Sequence, residues 1–225
     1  MNLFKRGMIF VTFFGSCFAI ALLLASLGTR QWLVARAKSS KNPDSDGRVQ
    51  LGLFDGKKEL NVAYGWRTDN FTVITILRED PDYMVFSLWL ATVGTVCGGL
   101  LFAGLSAIFA VINTASNPIC TMASVPGLYL WNTLAMLSDL SAVGCWIAQY
   151  YLKLQYNVMT KEDKNLMWTS DGMAEFGYSF WFVVGASIVS FVNLLIIYIG
   201  TSDTREIEPV IPVIEEKTNG AIMLY

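Results

Sequence analysis

The chain has 225 residues, 54% of them hydrophobic and only 15% charged, with a mean hydropathy of +0.47, which is too apolar for a water-soluble globular domain and reads as a membrane protein. A net charge of −2, with no basic face interleaved with aromatics, excludes nucleic acid as a partner. The absence of histidine and of any CxxC spacing among the four cysteines removes the common triads and most zinc and haem sites, so no catalytic residue, metal ligand or cofactor is expected and the protein is not an enzyme.

In chain order, residues 1–6 form a short polar lead with Lys5 and Arg6, and residues 7–27 form the first transmembrane helix inside a charge-free run that ends at Thr29. This run is of spanning length, whereas a cleaved signal peptide has a shorter apolar region before a small-residue cleavage site, so it reads as a retained anchor. Residues 28–83 form a polar first loop in which Asn42-Pro43-Asp44-Ser45-Asp46-Gly47 is a cluster of turn formers. Residues 49–54 and 71–77 are strand-like, the second alternating Phe71, Val73, Thr75 and Leu77 against Thr72, Ile74 and Ile76. Asp55-Gly56 is a turn signal between strands, and a small antiparallel sheet on the membrane is expected.

Residues 83–138 contain no Asp, Glu, Lys or Arg, long enough for two crossings of about 20 residues each. They supply transmembrane helix 84–112 and most of 125–151, separated by a turn at 113–124 where Asn113, Ser116, Asn117 and Pro118 gather. A second polar loop at 152–175, a fourth span at 176–200 and an acidic, proline-interrupted, disordered tail at 201–225 complete the chain. The expected fold is an all-α membrane protein, a four-transmembrane-helix bundle with a small antiparallel β-sheet in the first loop and both termini on one side.

Which side is contested by the residues themselves. The N-terminus, the hairpin turn and the tail hold only Lys5, Arg6, Arg205 and Lys217, and the two polar loops hold the other twelve basic residues, which by the positive-inside rule alone places the loops in the cytosol. Asn70-Phe71-Thr72, a glycosylation sequon in the first loop, argues for the opposite orientation.

Within the spans, Asn132, Ala135, Asp139, Ala142, Trp146 and Gln149 recur at intervals of three and four residues and share one helical face pointing into the bundle. A carboxylate near a span centre carries an insertion penalty of roughly 2.5–3.5 kcal/mol. Asp139 is therefore either an ion or proton site or a packing residue bonded to Asn193, Thr92, Thr95 or Ser187. Gly94 and Gly98, with Gly99 and Gly104 beside them, and Gly185 with Ala186 and Ser190, let helix backbones approach closely, either within one bundle or along a seam for a second copy or another membrane protein. Cys120 in the turn is a palmitoylation candidate. Met223 and Tyr225 present a C-terminal apolar side chain and carboxylate that fit a PDZ-type groove. Trp32, Tyr83, Tyr150, Tyr151, Tyr178 and Trp181 lie near span ends, where aromatics anchor in the interface of the lipid bilayer.

Leu27-Gly28-Thr29 with Trp32, Gly52-Leu53-Phe54 with Gly56, Ser116-Asn117-Pro118, Gly127 with Tyr129-Leu130-Trp131-Asn132, and Gly177-Tyr178-Ser179-Phe180-Trp181 together resemble the clarin family. Clarins are four-span proteins distantly related to the claudins and peripheral myelin protein. The resemblance implies cytosolic termini, a claudin-like sheet in an extracellular first loop, a glycan on Asn70, and a plasma-membrane protein without enzymatic activity. It also implies a role in organising membrane regions or partner proteins, linked to the actin cytoskeleton and to sensory-cell structures of hearing, with cytosolic cytoskeletal partners. The alternative is an auxiliary subunit of an ion channel or transporter. The chain departs from the claudins in having no first-loop cysteine pair: Cys17, Cys97, Cys120 and Cys145 all lie in spans or in the turn, so no outer-loop disulfide is expected.

Overall fold

The computed structural model describes residues 3–61, 65–116 and 120–202. Its long helices are α1 (Leu3–Gly28), α3 (Phe86–Ala115), α4 (Val125–Gln149) and α6 (Tyr178–Ser202). They form a ring in which α1 and α4 each pack between α3 and α6. Each helix turns a stripe of small or polar residues inward: α1 buries Thr12, Ser16, Ala19 and Ser26, and α3 buries Thr92, Gly99, Ala103, Ser106 and Ala110. Large apolar side chains such as Phe14, Leu101 and Phe191 point outward, as expected where lipid solvates the outside and close backbone approach supplies the contact inside.

Three of these helices, α1, α3 and α6, are long and apolar enough to cross a membrane by length and composition, where the sequence reading expected four. Helix α4 falls outside that set because its buried face carries Asn132, Asp139 and Gln149. Its polar groups are spent inward, the arrangement that permits polar side chains within a bundle.

Beyond one end of the bundle lies a six-stranded antiparallel sheet. Strands β1 (Leu33–Ser39), β2 (Asn42–Leu51), β3 (Asp55–Asn61) and β4 (Trp66–Thr72) come from the first loop. Strands β5 (Trp168–Thr169) and β6 (Ala174–Phe176) come from the second, and both pair with β1, Lys38 facing Thr169 and Leu33 facing Phe176. The order is β4-β3-β2-β1-β5 with β6 also on β1, so β4 is an edge.

The sheet reaches beyond the first loop, where the sequence reading placed it, by taking β5 and β6 from the second loop, and it differs from the expectation in three further places. The 42–47 cluster lies inside β2, because Ser45 Oγ and Asn42 Oδ1 accept the backbone N–H groups of Ser39 and Asp44 and the chain reverses at residues 40–41 instead. Asp55-Gly56 opens β3, and the tight turn lies just before it, closed by Gly52 N–H donating to Asp55 O at 2.9 Å. Residues 71–77 do not form one strand: β4 ends at Thr72 and α2 (Val73–Glu79) follows, burying Val73, Ile76 and Leu77. Those three positions also satisfy a helical period, and burial against the core decides between the two readings. The second loop adds a π-helical turn at Tyr150–Leu154 and helix α5 (Lys161–Asn165).

One apolar core extends from the inner face of the sheet (Leu33, Ala35, Val49, Leu51) through Trp32, Trp89 and Trp146 into the adjacent half of the bundle. A smaller cluster of Ile9, Ala110, Leu128 and Ile197 closes the other end.

Candidate functional site

The sheet meets the bundle at a junction centred on Trp32, which is fully buried. Its indole Nε1 donates to Ser26 O of α1 at 2.9 Å, its backbone N–H to Leu51 O of β2 at 2.9 Å, and its carbonyl accepts from Gly177 N–H at 3.1 Å. Its ring meets Trp146 of α4 edge to face at 5.0 Å. Beside it, Ser26 Oγ donates to Ser179 O at 2.8 Å and the Thr29 and Ser179 hydroxyls lie 2.6 Å apart, while Leu53 O accepts from Trp89 Nε1 at 2.8 Å. At Gly177 a side chain would collide with the Gln31 carbonyl, so glycine is what lets α6 start against the end of α1.

Deeper in the bundle a polar network joins all four long helices. Asn132 Nδ2 donates to Ser106 Oγ at 2.7 Å and to Leu128 O at 2.8 Å. Asn193 Nδ2 donates to Asn132 Oδ1 at 3.2 Å and to Ser16 Oγ at 3.3 Å, and the Ser16 and Ser106 hydroxyls are 3.0 Å apart. The Asn193 side chain occupies the space a Cβ at Gly15 would need. Asp139, two turns further along α4, is fully buried, and neither carboxyl oxygen has a hydrogen-bond partner among the described residues. The packing partners expected from sequence are occupied elsewhere. Asn193 is in the network above, while Thr92, Thr95 and Ser187 each donate to a carbonyl of their own helix.

On the sheet side, Lys58 of β3 bridges to Asp163 of α5 through both carboxylate oxygens, at 3.0 and 2.7 Å, and Thr160 Oγ1 donates to the same carboxylate at 2.6 Å. Lys161 reaches Asp80 at 3.2 Å, and Tyr83 donates its hydroxyl to Val158 O at 3.2 Å. Burial pushes the Tyr83 phenol well above its ordinary range, and the Asp163 and Asp80 carboxylates push it further, so Tyr83 remains a neutral donor. Of these groups, Lys58, Asp80, Thr160 and Lys161 line an open groove of about 580 Å³ walled by β4, α2 and α5. Asn70, on edge strand β4, is exposed, and its Oδ1 accepts from Arg30 Nη1 at 3.1 Å.

A family model described as Clarin-2-like matches residues 4–197 of this architecture. The chain belongs to the clarin family. It is 26% identical over 202 residues to Clarin-3 of Homo sapiens, covering 86% of each chain. Clarin-3 of Mus musculus is 28% identical over 196 residues, 84% of this chain and 82% of the relative. Clarin-3 of Rattus norvegicus is 26% identical over 183 residues, 78% of this chain and 76% of the relative.

In this clarin the structure gathers three of the sequence motifs, around Thr29 and Trp32, Gly52 to Phe54, and Gly177 to Ser179, into the one junction. The sequon and the glycine positions are dispersed. Gly99 faces the Asp139 carboxyl, a Cβ at Gly98 would come within 3.5 Å of Ser138 Oγ, one at Gly185 within 3.4 Å of Leu22, and Gly94 and Gly104 face open space. Cys120 is exposed; Met223 and Tyr225 lie outside the described residues, as do 117–119 of the turn. Sequence reasoning missed Gly15, Ser16, Ser106 and the Lys58–Asp163 pair. The hydroxyls of Thr12 and Ser16, four apart on the inward face of α1, were the available signal for the first part of the network.

Gly99→Ala is expected to destabilise the α3–α4 contact by about 1–3 kcal/mol, the usual range for overpacking, because its methyl group would enter the space of the Asp139 carboxyl. A thermal-unfolding series with Gly99→Ala, Asp139→Ala and the double variant checks this. The double variant should lose less than the sum of the singles, and additive losses would refute the contact as the cause.

Proposed function

We propose that this clarin is a non-enzymatic organiser of membrane regions, resident in the plasma membrane with both termini cytosolic. In this role it presents a rigid outer sheet around which other membrane proteins or further copies of the chain assemble. The observation that carries this reading is the Trp32 junction, where one buried residue meets α1 and α4 through its side chain and the start of α6 and the sheet through its backbone. A scaffold can hold partners in register only if its outer domain is fixed to its spans, and a core shared by the two supplies that. The actin link and the connection to hearing rest on family analogy, with function depending on sites rather than on the fold alone.

Orientation is tested first. Asn70 is exposed on the sheet edge, so a glycosidase-sensitive mobility shift is expected for the expressed protein and should vanish in Asn70→Gln; labelling of the first loop by a cytosolic reagent would overturn the orientation. The organising role is then read from partners. Co-expression should change actin-rich protrusions and recover other membrane proteins by crosslinking. Stoichiometric copurification of a pore-forming protein, with altered currents and unchanged protrusions, would instead make the chain an auxiliary subunit.

A further inference from the structure

The buried face of α4 divides into two halves of different chemistry. Around Asn132 every polar group named above is hydrogen-bonded across the bundle. Toward the sheet, Asp139, Trp146 and Gln149 follow at intervals of seven and three residues, all fully buried. Five of their polar atoms, both Asp139 oxygens, Trp146 Nε1 and the two Gln149 amide atoms, have no partner among the described residues. Buried polar groups in folded proteins are bonded to protein or to ordered water, and leaving one bare is strongly unfavourable. Five orphans on one face need partners that the described residues do not supply.

The orphan atoms define what that is. The Asp139 oxygens need donors, the Trp146 N–H needs an acceptor, and the Gln149 amide needs one of each, a set that water satisfies and that an apolar ligand does not. A divalent cation lacks ligands, because the described residues contain no group of three His, Cys, Asp or Glu side chains. No cation compensates the carboxyl either. Helices α3 and α6, which pack on α4, carry no Asp, Glu, Lys or Arg, Asp139 is the one such residue in α4, and Lys5 and Arg6 lie in the first turn of α1 at the end away from the sheet. The other titratable side chains point elsewhere: Cys17 and Cys97 are exposed, Cys145 is half-buried, Tyr129 bonds Thr201 at the far end, Tyr150 bonds Ala174 O, and Tyr178 and Tyr198 face outward. A carboxylate without a counter-ion in a span is neutralised most simply by a proton.

We propose that the sheet-side half of α4 is a hydrated proton-binding site, in which Asp139 holds a proton and water molecules entering past Gln149 and Trp146 supply its hydrogen bonds. The orphan atoms run toward the sheet, over ten residues or roughly 15 Å of helix, to Gln149 at the end of α4, and that is the side from which the proposed water would exchange. In the other direction the Asn132 network closes the bundle. The site stands apart from the organising role, since nothing in that role requires it.

Infrared spectroscopy of the full chain in lipid nanodiscs during H2O-to-D2O perfusion tests this. The wild-type minus Asp139→Asn difference should contain the carbonyl stretch of a protonated carboxyl that shifts down as fast as D2O arrives. In Gln149→Leu the band should persist while its shift slows by about tenfold, equivalent to ~1.4 kcal/mol in the exchange barrier. If Asp139→Asn does not fold, Asp139→Glu should move the band instead of removing it. Absence of an Asp139 carboxyl band, a wild-type band that never shifts, or unslowed exchange in Gln149→Leu would each overturn the proposal.

Discussion

Trp32→Ala is expected to lower stability by about 3–5 kcal/mol, the range for removing a fully buried large aromatic, and to drop the thermal midpoint of the purified protein by on the order of 10 °C. The reasons add at one position. The indole is wholly buried, its removal leaves the Ser26 carbonyl without its donor, and Trp146 loses the ring it packs against. The backbone bonds from residue 32 to Leu51 and Gly177 survive the substitution, so the sheet should remain attached but loosen first. Trp32→Phe keeps a ring and loses the N–H bond, and about 1–2 kcal/mol is expected for it. Size-exclusion profiles after heating measure both. A Trp32→Ala midpoint equal to wild type would mean that sheet and bundle are held together independently of this side chain, and the rigid-scaffold reading would lose its support.

The same junction shows what the sequence could and could not disclose. Charge-free runs announce long apolar helices because only a bilayer tolerates them, so α1, α3 and α6 were legible at once. The existence of a sheet was legible from strand-like segments, but its register was not. Strands β5 and β6 are two and three residues long, too short to carry a period, and they exist only because β1 offers them an edge. At α2 the β-branched run Val73-Ile74-Thr75-Ile76 satisfied both periods, and tertiary burial chose the helix. The polar face of α4 was readable from its spacing, whereas the partners of Asp139 were not. Thr92, Thr95 and Ser187 close bonds to their own helix backbones, a local competition that sequence spacing does not rank. Asn132 and Asn193 stood out singly, but their pairing depends on α4 lying beside α6 in the ring.

Lys58→Ala is expected to loosen helix α5 from the sheet, while strands β5 and β6 stay paired with β1. The Lys58 and Asp163 side chains are only 12% and 7% exposed, and removing one member of such a pair leaves a buried charge behind, a loss on the order of 3 kcal/mol. Asp163 would retain Thr160 as a donor but, among the described residues, no cation at bonding distance, while Lys161 stays with Asp80. The loop carries its own reporters, since trypsin cuts after Lys161 and Lys164. If cleavage proceeds through local opening, a 3 kcal/mol loss speeds it by roughly a hundredfold. The first loop has no cysteines, and among the described residues this ion pair, which joins strand β3 to helix α5, is the most buried of the ion pairs between the two loops. Replacing both partners, Lys58→Met with Asp163→Leu, removes the stranded charge and should restore much of the protection. A wild-type cleavage rate in Lys58→Ala would show that shape alone holds the loop, and equal, faster rates in the single and double variants would show that the stranded charge adds nothing to the loss of the pair.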